Sequence, residues 1–591
     1  MEQIERPTKW TLHDLLPEPV EESLKEAFSR LEQALVEFET TREILTPEIT
    51  WQDFNEILGK LEAITLIKSK IEAYADLSFA EDTQNPATLN LRDRVDQVLT
   101  DAGNRALFFE IWFKDLPAEV SRNLIEHSGR LRYFLETMAR FKPYTLSELE
   151  ERMINLKDVN GIDAMVNLYE MITNRFKFTW EIDGSAEMLT RDQLSSYFSS
   201  PMPDVRAKAY QELYRVYTDH ATILAQIYIH RVRDWHTEGL KLRGFASPIS
   251  ARNVENDLPD EVVETLLSVC RDNAGMFQRY FRMKAKWLGL DKLRRYDIYA
   301  PLTFSEKKFE YATAKQIVLD SYRAFSPEVT SLAQRVFDEN HLDSEIRSGK
   351  RGGAFCYTVL PELTPWVMIN YDGSARDIAT LAHELGHAIH AMLADHHSAL
   401  TQQAALPLAE TASVFAEMQL TDQLLAREND PAVRRDLLAN ALDDAYITVM
   451  RQAYFTIFER DAHAMINDDC SMNELTDHYL SNLNEQFGDA VEVSDEFKWE
   501  WLAIPHFYQS PFYTYAYSFG QLLVLALYQQ YRIEGQAFIP RYLKILSYGG
   551  SEAPMKILEE ARLDVTSPAF WQGGFDVIQN MIAELEKTSE T

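Results

Sequence analysis

Glycine and cysteine are scarce in this chain, and it has no obvious linkers. Glycine accounts for 21 of 591 residues, about half the usual share, as expected of a mostly helical protein. No proline-, glycine- or serine-rich linker and no internal repeat divides the sequence. Its three widely spaced cysteines form neither a disulfide framework nor a C-x-x-C zinc site, a usage typical of a reducing cytoplasm.

Basic residues are fewer than acidic ones, and long apolar runs are lacking. Lys and Arg number 59 against 92 Asp and Glu, a net charge of −33, which repels nucleic acid and anionic membranes. No apolar run approaches the roughly 18 residues needed to span a bilayer, and the N-terminal segment lacks the features of a secretory signal. We therefore expect a cytoplasmic protein with no nucleic-acid or membrane partner. These features do not determine its oligomeric state.

One short stretch has the H-E-x-x-H pattern, with His383, Glu384 and His387. Two histidines four residues apart lie on the same side of a helix, so both imidazoles can reach one tetrahedral Zn²⁺. The glutamate between them is free to handle protons. This pattern is typical of zinc-dependent peptide hydrolysis.

The residues around the motif predict a real helix. Ser374 and Asp377 have the spacing of a capping box and predict a helix that starts at Ala375. An apolar stripe follows at helical spacing and faces away from the two histidines. Its members are Ile378, Leu381, Leu385, Ile389 and Met392.

A catalytic zinc needs a third protein ligand and an open position for water. The metzincin pattern would require glycine and histidine where this chain has His390 and Leu393, so that class is excluded. A glutamate on a following helix is the other common solution. Glu410 and Glu417 are seven residues apart and share a face, so spacing alone cannot separate them. We interpret His390 as a packing or supporting histidine, because a fourth protein ligand would leave no room for water.

A second cluster lies in residues 505–520, which contain four tyrosines and one histidine within a few turns. If the chain is helical after Pro511, Tyr513 and Tyr517 present two phenols on one side. Such groups stabilise the oxyanion that forms during amide hydrolysis. The alternative is that these aromatic residues are ordinary core.

Several segments of the sequence, among them those with the H-E-x-x-H motif and the tyrosine cluster, together resemble oligoendopeptidase F, of the thimet-type zinc oligopeptidases. The resemblance extends from a Trp-x-Leu-x-x-Leu opening segment to the C-terminal region. Its other blocks are residues 350–356, 367–373, 378–387, 505–520 and 546–554, followed by Phe570 and Trp571.

The resemblance implies roles for particular residues. In that family the third zinc ligand opens an E-x-x-S pattern, which falls on Glu410 and lies 23 residues after His387. It also implies that His506, Tyr513 and Tyr517 act as transition-state donors, with Tyr515 left open. One Zn²⁺ per chain and oligopeptide substrates follow from the same likeness, as do groove-lining strands at residues 352–355 and 367–370.

The expected fold is mainly α. It is a helical zincin, with a thermolysin-like catalytic core and a small β-sheet, plus an N-terminal helical lobe. The two parts are expected to enclose a substrate groove. We predict the lobe over residues 1–190 and the zinc peptidase region over 191–591. Alternating aromatic residues at 176–182 followed by Asp183-Gly184 predict a hairpin near this boundary.

The predicted function is a zinc endopeptidase that cuts internal bonds of short peptides. His383, His387 and Glu410 would hold the metal, and Glu384 would act as the general base on the attacking water. Two alternatives remain. One is a zinc carboxypeptidase of related fold, and the other is an inactive peptide-binding protein.

Overall fold

The computed structural model describes residues 6–182, 185–302 and 308–588, and long helices dominate it. The first thirteen α-helices are α1 Val20–Glu39, α2 Trp51–Glu81, α3 Pro86–Asp115, α4 Ala118–Glu126, α5 Arg132–Arg140, α6 Glu148–Asn160, α7 Ile162–Asn174, α8 Arg191–Ser195, α9 Pro203–Asp219, α10 Ala221–Trp235, α11 Pro248–Glu255, α12 Asp260–Asp272 and α13 Ala274–Trp287.

The later helices include the one that carries the H-E-x-x-H motif. They are α14 Tyr311–Phe325, α15 Pro327–Asp338, α16 Ala375–Leu393, α17 Leu406–Ala409, α18 Ser413–Arg427, α19 Pro431–Ala445, α20 Arg451–Asn467, α21 Met472–Phe487, α22 Pro505–Gln509, α23 Tyr515–Glu534, α24 Ile539–Ser547, α25 Pro554–Glu560 and α26 Pro568–Lys587.

The strands are short and form three small sheets. They are β1 Phe178–Ile182, β2 Ser185–Leu189, β3 Leu293–Arg294, β4 Leu342–Asp343, β5 Phe355–Tyr357, β6 Trp366–Met368 and β7 Val491–Glu492. This mostly helical architecture confirms the predicted fold class.

The chain forms two compact units, each built from three segments. The first unit comprises Met1–Lys142, Glu306–Ala426 and Leu527–Leu563. The second unit comprises Pro143–Ser305, Arg427–Ala526 and Asp564–Thr591. The division between residues 190 and 191 stays a prediction from the sequence.

The first unit contains two hydrophobic clusters. One is formed by the α1–α5 helices around Phe38, Phe54 and Phe109, which are at most 1% exposed. The other joins α2 to the three-stranded sheet through Leu77, Trp366 and neighbouring residues. The sheet order is β4-β6-β5, so β5 is an edge strand. Helix α16 packs against β5 and β6 on one side and against α14, α15 and α24 elsewhere.

The second unit contains the predicted hairpin, because β1 and β2 pair antiparallel. Its turn, Asp183-Gly184, lies outside the described residues. Aromatic rings fill much of this unit's interior; the ring of Tyr228, for example, contacts those of both Trp501 and Phe507. In the described ranges, no helix is long and apolar enough to cross a membrane.

Candidate active site

Helix α16 begins as the sequence predicts. The Ser374 hydroxyl accepts a hydrogen bond from the Asp377 backbone N–H at 3.2 Å, and the Asp377 carboxylate accepts one from the Ser374 N–H at 3.1 Å. This capping box satisfies two N–H groups at the helix terminus. The predicted apolar stripe is buried, with every member at most 4% exposed. The helix is therefore anchored by one face, and its histidines lie on another.

The side chains of His383 and His387, on α16, and of Glu410 come together and can act as metal ligands. Nε2 of His383 and Nε2 of His387 are 3.2 Å apart, and each is 3.4 Å from Oε2 of Glu410. Donor atoms about 2.05 Å from a tetrahedral zinc are separated by about 3.3 Å. The three atoms therefore have the spacing of one zinc coordination sphere, and the donor set fits the metal.

Glu417 occupies a different position from Glu410. Its carboxylate lies 2.6 Å from Nδ1 of His383, the ring nitrogen that points away from the other two donors. A carboxylate on Nδ1 fixes the tautomer and turns Nε2 toward the metal position. Burial alone would lower the pKa of His383, but this bond and the nearby carboxylates raise it to about 9.

Glu410 is held in place by its own chain segment. It follows α17 and precedes α18, so it is not on the same helix as Glu417, contrary to the expectation that the two share a helical face. The Ser413 hydroxyl donates to its carboxylate at 2.6 Å. Burial opposes ionisation of Glu410, yet the hydrogen bond to His387 and both imidazoles lower its pKa to about 2.

Gly386 allows this segment to approach the helix. A Cβ at this position would lie 2.6 Å from Cα of Ser413 and 2.8 Å from the carbonyl oxygen of Ala412. Real side chains do not tolerate contacts this short with backbone atoms. The glycine inside the H-E-x-x-H motif is therefore required for Glu410 to come within reach of both histidines.

Glu384 lies beside the ligand set and lines the same cavity. The cavity has a volume of about 470 Å³ and is bordered by α16, β5 and residues 402–404. Glu384 is 7% exposed. Burial raises its pKa, while the two histidines act in the opposite direction. A carboxylate with a raised pKa at the wall of a cavity is placed to accept and return a proton.

His390 also borders the cavity but stays outside the convergent set of donors. It is 7% exposed, and burial lowers its pKa to about 4, with His387 acting in the same direction. Its environment also includes a hydrogen bond to the backbone of Ala409. This placement agrees with a supporting role and leaves three protein donors at the centre.

The histidine and tyrosines of the later cluster come together in the second unit. The rings of His506 and Tyr513 are stacked with centroids 5.8 Å apart, and the rings of Tyr513 and Tyr517 meet edge to face at 5.4 Å. The Tyr517 hydroxyl is 3.4 Å from Nε2 of His506. These three side chains are partly exposed, whereas the other aromatic residues of this segment, among them Phe512 and Tyr515, are fully buried.

The backbone that forms this cluster differs from the predicted helix. Helix α23 begins at Tyr515, so Tyr513 precedes it, and the expected helical i, i+4 relation to Tyr517 is wrong. Phe512 adopts a left-handed φ of 57°, which turns the chain before the helix. Its N–H donates to the buried Glu459 carboxylate at 2.9 Å. The two phenols still meet, through a turn instead of a helical face.

Tyr515 points into the interior and is separate from the cluster. It has no exposed surface, and its hydroxyl accepts a hydrogen bond from Asn256 at 2.8 Å. Burial raises its pKa well above the ordinary value. The Tyr-rich run thus divides into two outward-facing phenols and one structural phenol.

Two contributions to the site were not predicted from the sequence. The bond from Glu417 to His383 was missed because both glutamates fit the same spacing. The second is the pair Gly549 and Gly550, where a Cβ would lie 2.2 Å and 2.1 Å from the carbonyl oxygens of Gln402 and Gln403. This close packing of Gly549 and Gly550 supports the loop at residues 402–403, which borders the cavity. In the sequence, the Gly-Gly dipeptide is the feature that could have indicated such a close approach.

Two histidines on a capped helix and a glutamate from a following turn form a donor set that opens into a cavity of a mostly helical chain, and this arrangement defines a helical metallopeptidase. Comparison with known families agrees. The profile of Peptidase family M3 matches residues 196–577, more than half of the chain, and that of Oligopeptidase F matches residues 112–178. The chain therefore belongs to peptidase family M3, and it is a metallopeptidase of the oligopeptidase F type.

Individual relatives are similar over most of their length. Oligopeptidase PepF of Bacillus subtilis is 24% identical over 98% of this chain and 87% of its own. An oligoendopeptidase F homolog of Lactococcus lactis is 27% identical over 90% of both chains. A peptidase structure from Chlamydophila abortus superposes with a TM-score of 0.87 at 22% identity, covering 98% of each chain. Oligoendopeptidase F from Enterococcus faecium gives 0.72 at 23% identity, covering 96% of this chain and 99% of its own.

Proposed function

We propose that this protein is a zinc-dependent endopeptidase that hydrolyses internal bonds of short oligopeptides. The observation that carries the proposal is the convergence of His383, His387 and Glu410, whose donor atoms all lie within 4.8 Å of one another. Family membership and the names of the relatives, which are oligopeptidases and oligoendopeptidases, support the peptide substrate. A location in the cytoplasm stays a prediction from the sequence.

The three donors would hold one Zn²⁺ per chain, with Glu417 orienting His383. When bound, the metal supplies Lewis-acid activation of water and of the scissile carbonyl. Glu384 accepts the proton of the attacking water and later passes it to the leaving amine. Its partial burial supports this role, because burial brings the pKa of a carboxyl group closer to the working pH.

The edge strand β5 offers a binding surface for an extended peptide. It pairs with β6 on one side only, and Phe355 and Cys356 border the cavity with Glu384. A substrate strand can add to such an edge through main-chain hydrogen bonds. Main-chain recognition accommodates many peptide sequences.

The histidine–tyrosine cluster supplies the oxyanion donors in this proposal. The side chains of His506, Tyr513 and Tyr517 are partly exposed, as a donor to substrate requires. Burial lowers the pKa of His506, and the positive charge of Arg451 acts in the same direction. This assignment rests on the sequence resemblance and on the clustering of the three side chains.

The experiment is hydrolysis of an end-blocked peptide of about ten residues, read by mass spectrometry with and without chelator. Internal cuts that vanish with chelator and return with zinc are expected. A carboxypeptidase would leave the blocked peptide intact and trim the unblocked one. Binding of the peptide without cleavage in either form would indicate an inactive binding protein.

Replacing the proposed base separates its role from metal binding. Glu384→Gln keeps the shape of the side chain but cannot accept the water proton. We expect zinc content to remain at one per chain and kcat to fall by about 10²–10⁴-fold. Wild-type zinc content with unchanged kcat would contradict the assignment of Glu384.

A further inference from the structure

We propose that a second cavity beside the metal centre binds a lysine or arginine side chain of the substrate, with Glu72 as its charge partner. The inference rests on the proposed peptidase function and defines a side-chain preference for it. The cavity has a volume of about 330 Å³ and lies in the first unit. It is lined by Ser69, Glu72, Cys356, Tyr357, Thr358, Val359 and Gln403.

The two cavities adjoin along the edge strand. Cys356, Thr358 and Gln403 border both of them. Each residue of an extended strand advances the chain by about 3.3 Å. A peptide that adds to β5 over the metal centre therefore reaches the second cavity within a few residues of the scissile bond.

Glu72 is the only charged residue that lines this cavity, and it has no ion-pair or hydrogen-bond partner among the residues the structure describes. Asp76, one turn later on α2, is in contrast already satisfied. It pairs with Arg92 at 3.1 Å and accepts a hydrogen bond from the Tyr357 hydroxyl at 3.2 Å. Lys68 acts on Glu72 only as a nearby charge.

The surroundings of Glu72 favour a cation. Glu72 is an exposed residue, but partial burial of its carboxyl group raises its pKa, and the Asp76 carboxylate raises it further, while the charge of Lys68 acts in the opposite direction. The two effects that raise the pKa penalise an unpaired negative charge, and an incoming ammonium or guanidinium group relieves them. The stem of a long basic side chain also suits the apolar part of the wall at Val359, because lysine and arginine bury their methylene groups while the charged end stays polar.

The test is a positional scan with end-blocked peptides that contain one lysine and no other charged residue, each compared with a neutral peptide that has glutamine at the same position. The carboxylate is partly open to solvent, so a moderate effect is expected. Wild type should prefer lysine by about two- to fivefold in kcat/KM at one position within a few residues of the cut. Glu72→Gln should remove this preference, and Glu72→Lys should transfer it to a glutamate at that position.

Glu56→Gln is the matched control. Like Glu72, Glu56 is an exposed residue of α2, but it does not line the cavity. This variant removes the same charge and should keep the lysine preference. No preference in wild type, or an equal preference in Glu72→Gln, would overturn the proposal. Cleavage of the neutral peptide by every variant shows that the peptidase function itself stands; its absence in wild type would reject that function and the subsite together.

Discussion

The metal centre and the histidine–tyrosine cluster are built in opposite ways. The ligands of the first come from a regular helix and a nearby turn, and a local capping box sets where that helix starts. The second depends on a left-handed residue, Phe512, just before a helix. Its geometry is held from elsewhere in the second unit: Thr456 bonds Thr514 at 2.8 Å, and Arg252 donates to the Pro511 carbonyl at 3.1 Å.

This difference shows which parts of the site have a geometry that a short sequence motif predicts, and which parts do not. Helical periodicity places side chains one turn apart wherever the helix occurs. An irregular turn has no such rule, and its shape follows from buried partners distant in sequence. We therefore expect substitutions at the metal centre to act on metal binding directly, and substitutions around the cluster to act through backbone position.

The largest expected effect is on zinc affinity, when Glu410 and Glu417 are each replaced by alanine. Glu410→Ala removes one of three ligands, and the isolated protein should lose zinc. Glu417→Ala leaves all three ligands but frees the His383 ring, so zinc should stay bound with about ten- to hundredfold lower affinity. Zinc titration by competition with a chromogenic chelator measures both values. The opposite order would exchange their roles.

Removing single tyrosine hydroxyls tests whether the histidine–tyrosine cluster supplies oxyanion donors. Tyr513→Phe and Tyr517→Phe each remove one outward-facing hydroxyl, and kcat is expected to fall by about 10²–10³-fold, as for a lost oxyanion donor. Tyr515→Phe is the matched control, because among the described residues its hydroxyl bonds only Asn256, in the interior. It should keep kcat and cost about 1 kcal/mol of unfolding free energy. An equal loss of kcat in all three variants would contradict the assignment of Tyr513 and Tyr517 as donors and of Tyr515 as a structural residue.

The smallest expected effect is on the pH dependence of stability, through Glu459, which accepts a hydrogen bond from the Phe512 N–H beside the histidine–tyrosine cluster. Burial raises the pKa of Glu459 to about 8, from an ordinary value of 4.5, although a bond from Phe512 and nearby arginines oppose the shift. Between these pH values the folded protein holds a proton that the unfolded chain has lost. Its contribution to stability is therefore full below about pH 4.5 and is lost as the pH rises to about 8.

Glu459→Gln should flatten this part of the stability profile. The amide oxygen can still accept from the Phe512 N–H, but the side chain no longer titrates. Urea unfolding at pH 5 and pH 8 should show a decrease of a few kcal/mol in wild type, at about 1.4 kcal/mol per pKa unit, and less in the variant. The surface variant Glu492→Gln is the control. A profile as steep in Glu459→Gln as in wild type would assign the pH dependence to other groups.

Much of the metal centre could be predicted from the sequence because its information is local. The capping residues Ser374 and Asp377, the apolar stripe and the H-E-x-x-H spacing all concern one helix. The choice between Glu410 and Glu417 could not be made from spacing, since it depends on how closely the following segment approaches Gly386. From the sequence, only the family resemblance favours Glu410.

The cluster was predictable in composition and not in geometry. The density of tyrosines identified the segment, but a helix was expected directly after Pro511. The chain turns at Phe512 instead, because its N–H bonds Glu459, a residue 53 positions earlier. The same long-range packing explains why Tyr515 is buried beside Asn256 while its neighbours stay accessible.

Anomalous X-ray scattering at the zinc edge, from crystals grown with zinc, tests the central claim most directly. The account predicts one ion about 2.0–2.2 Å from Nε2 of His383, Nε2 of His387 and a carboxylate oxygen of Glu410, with Glu417 remaining on Nδ1 of His383. An ion held by Glu417 in place of Glu410, or no ion at this centre, would contradict it.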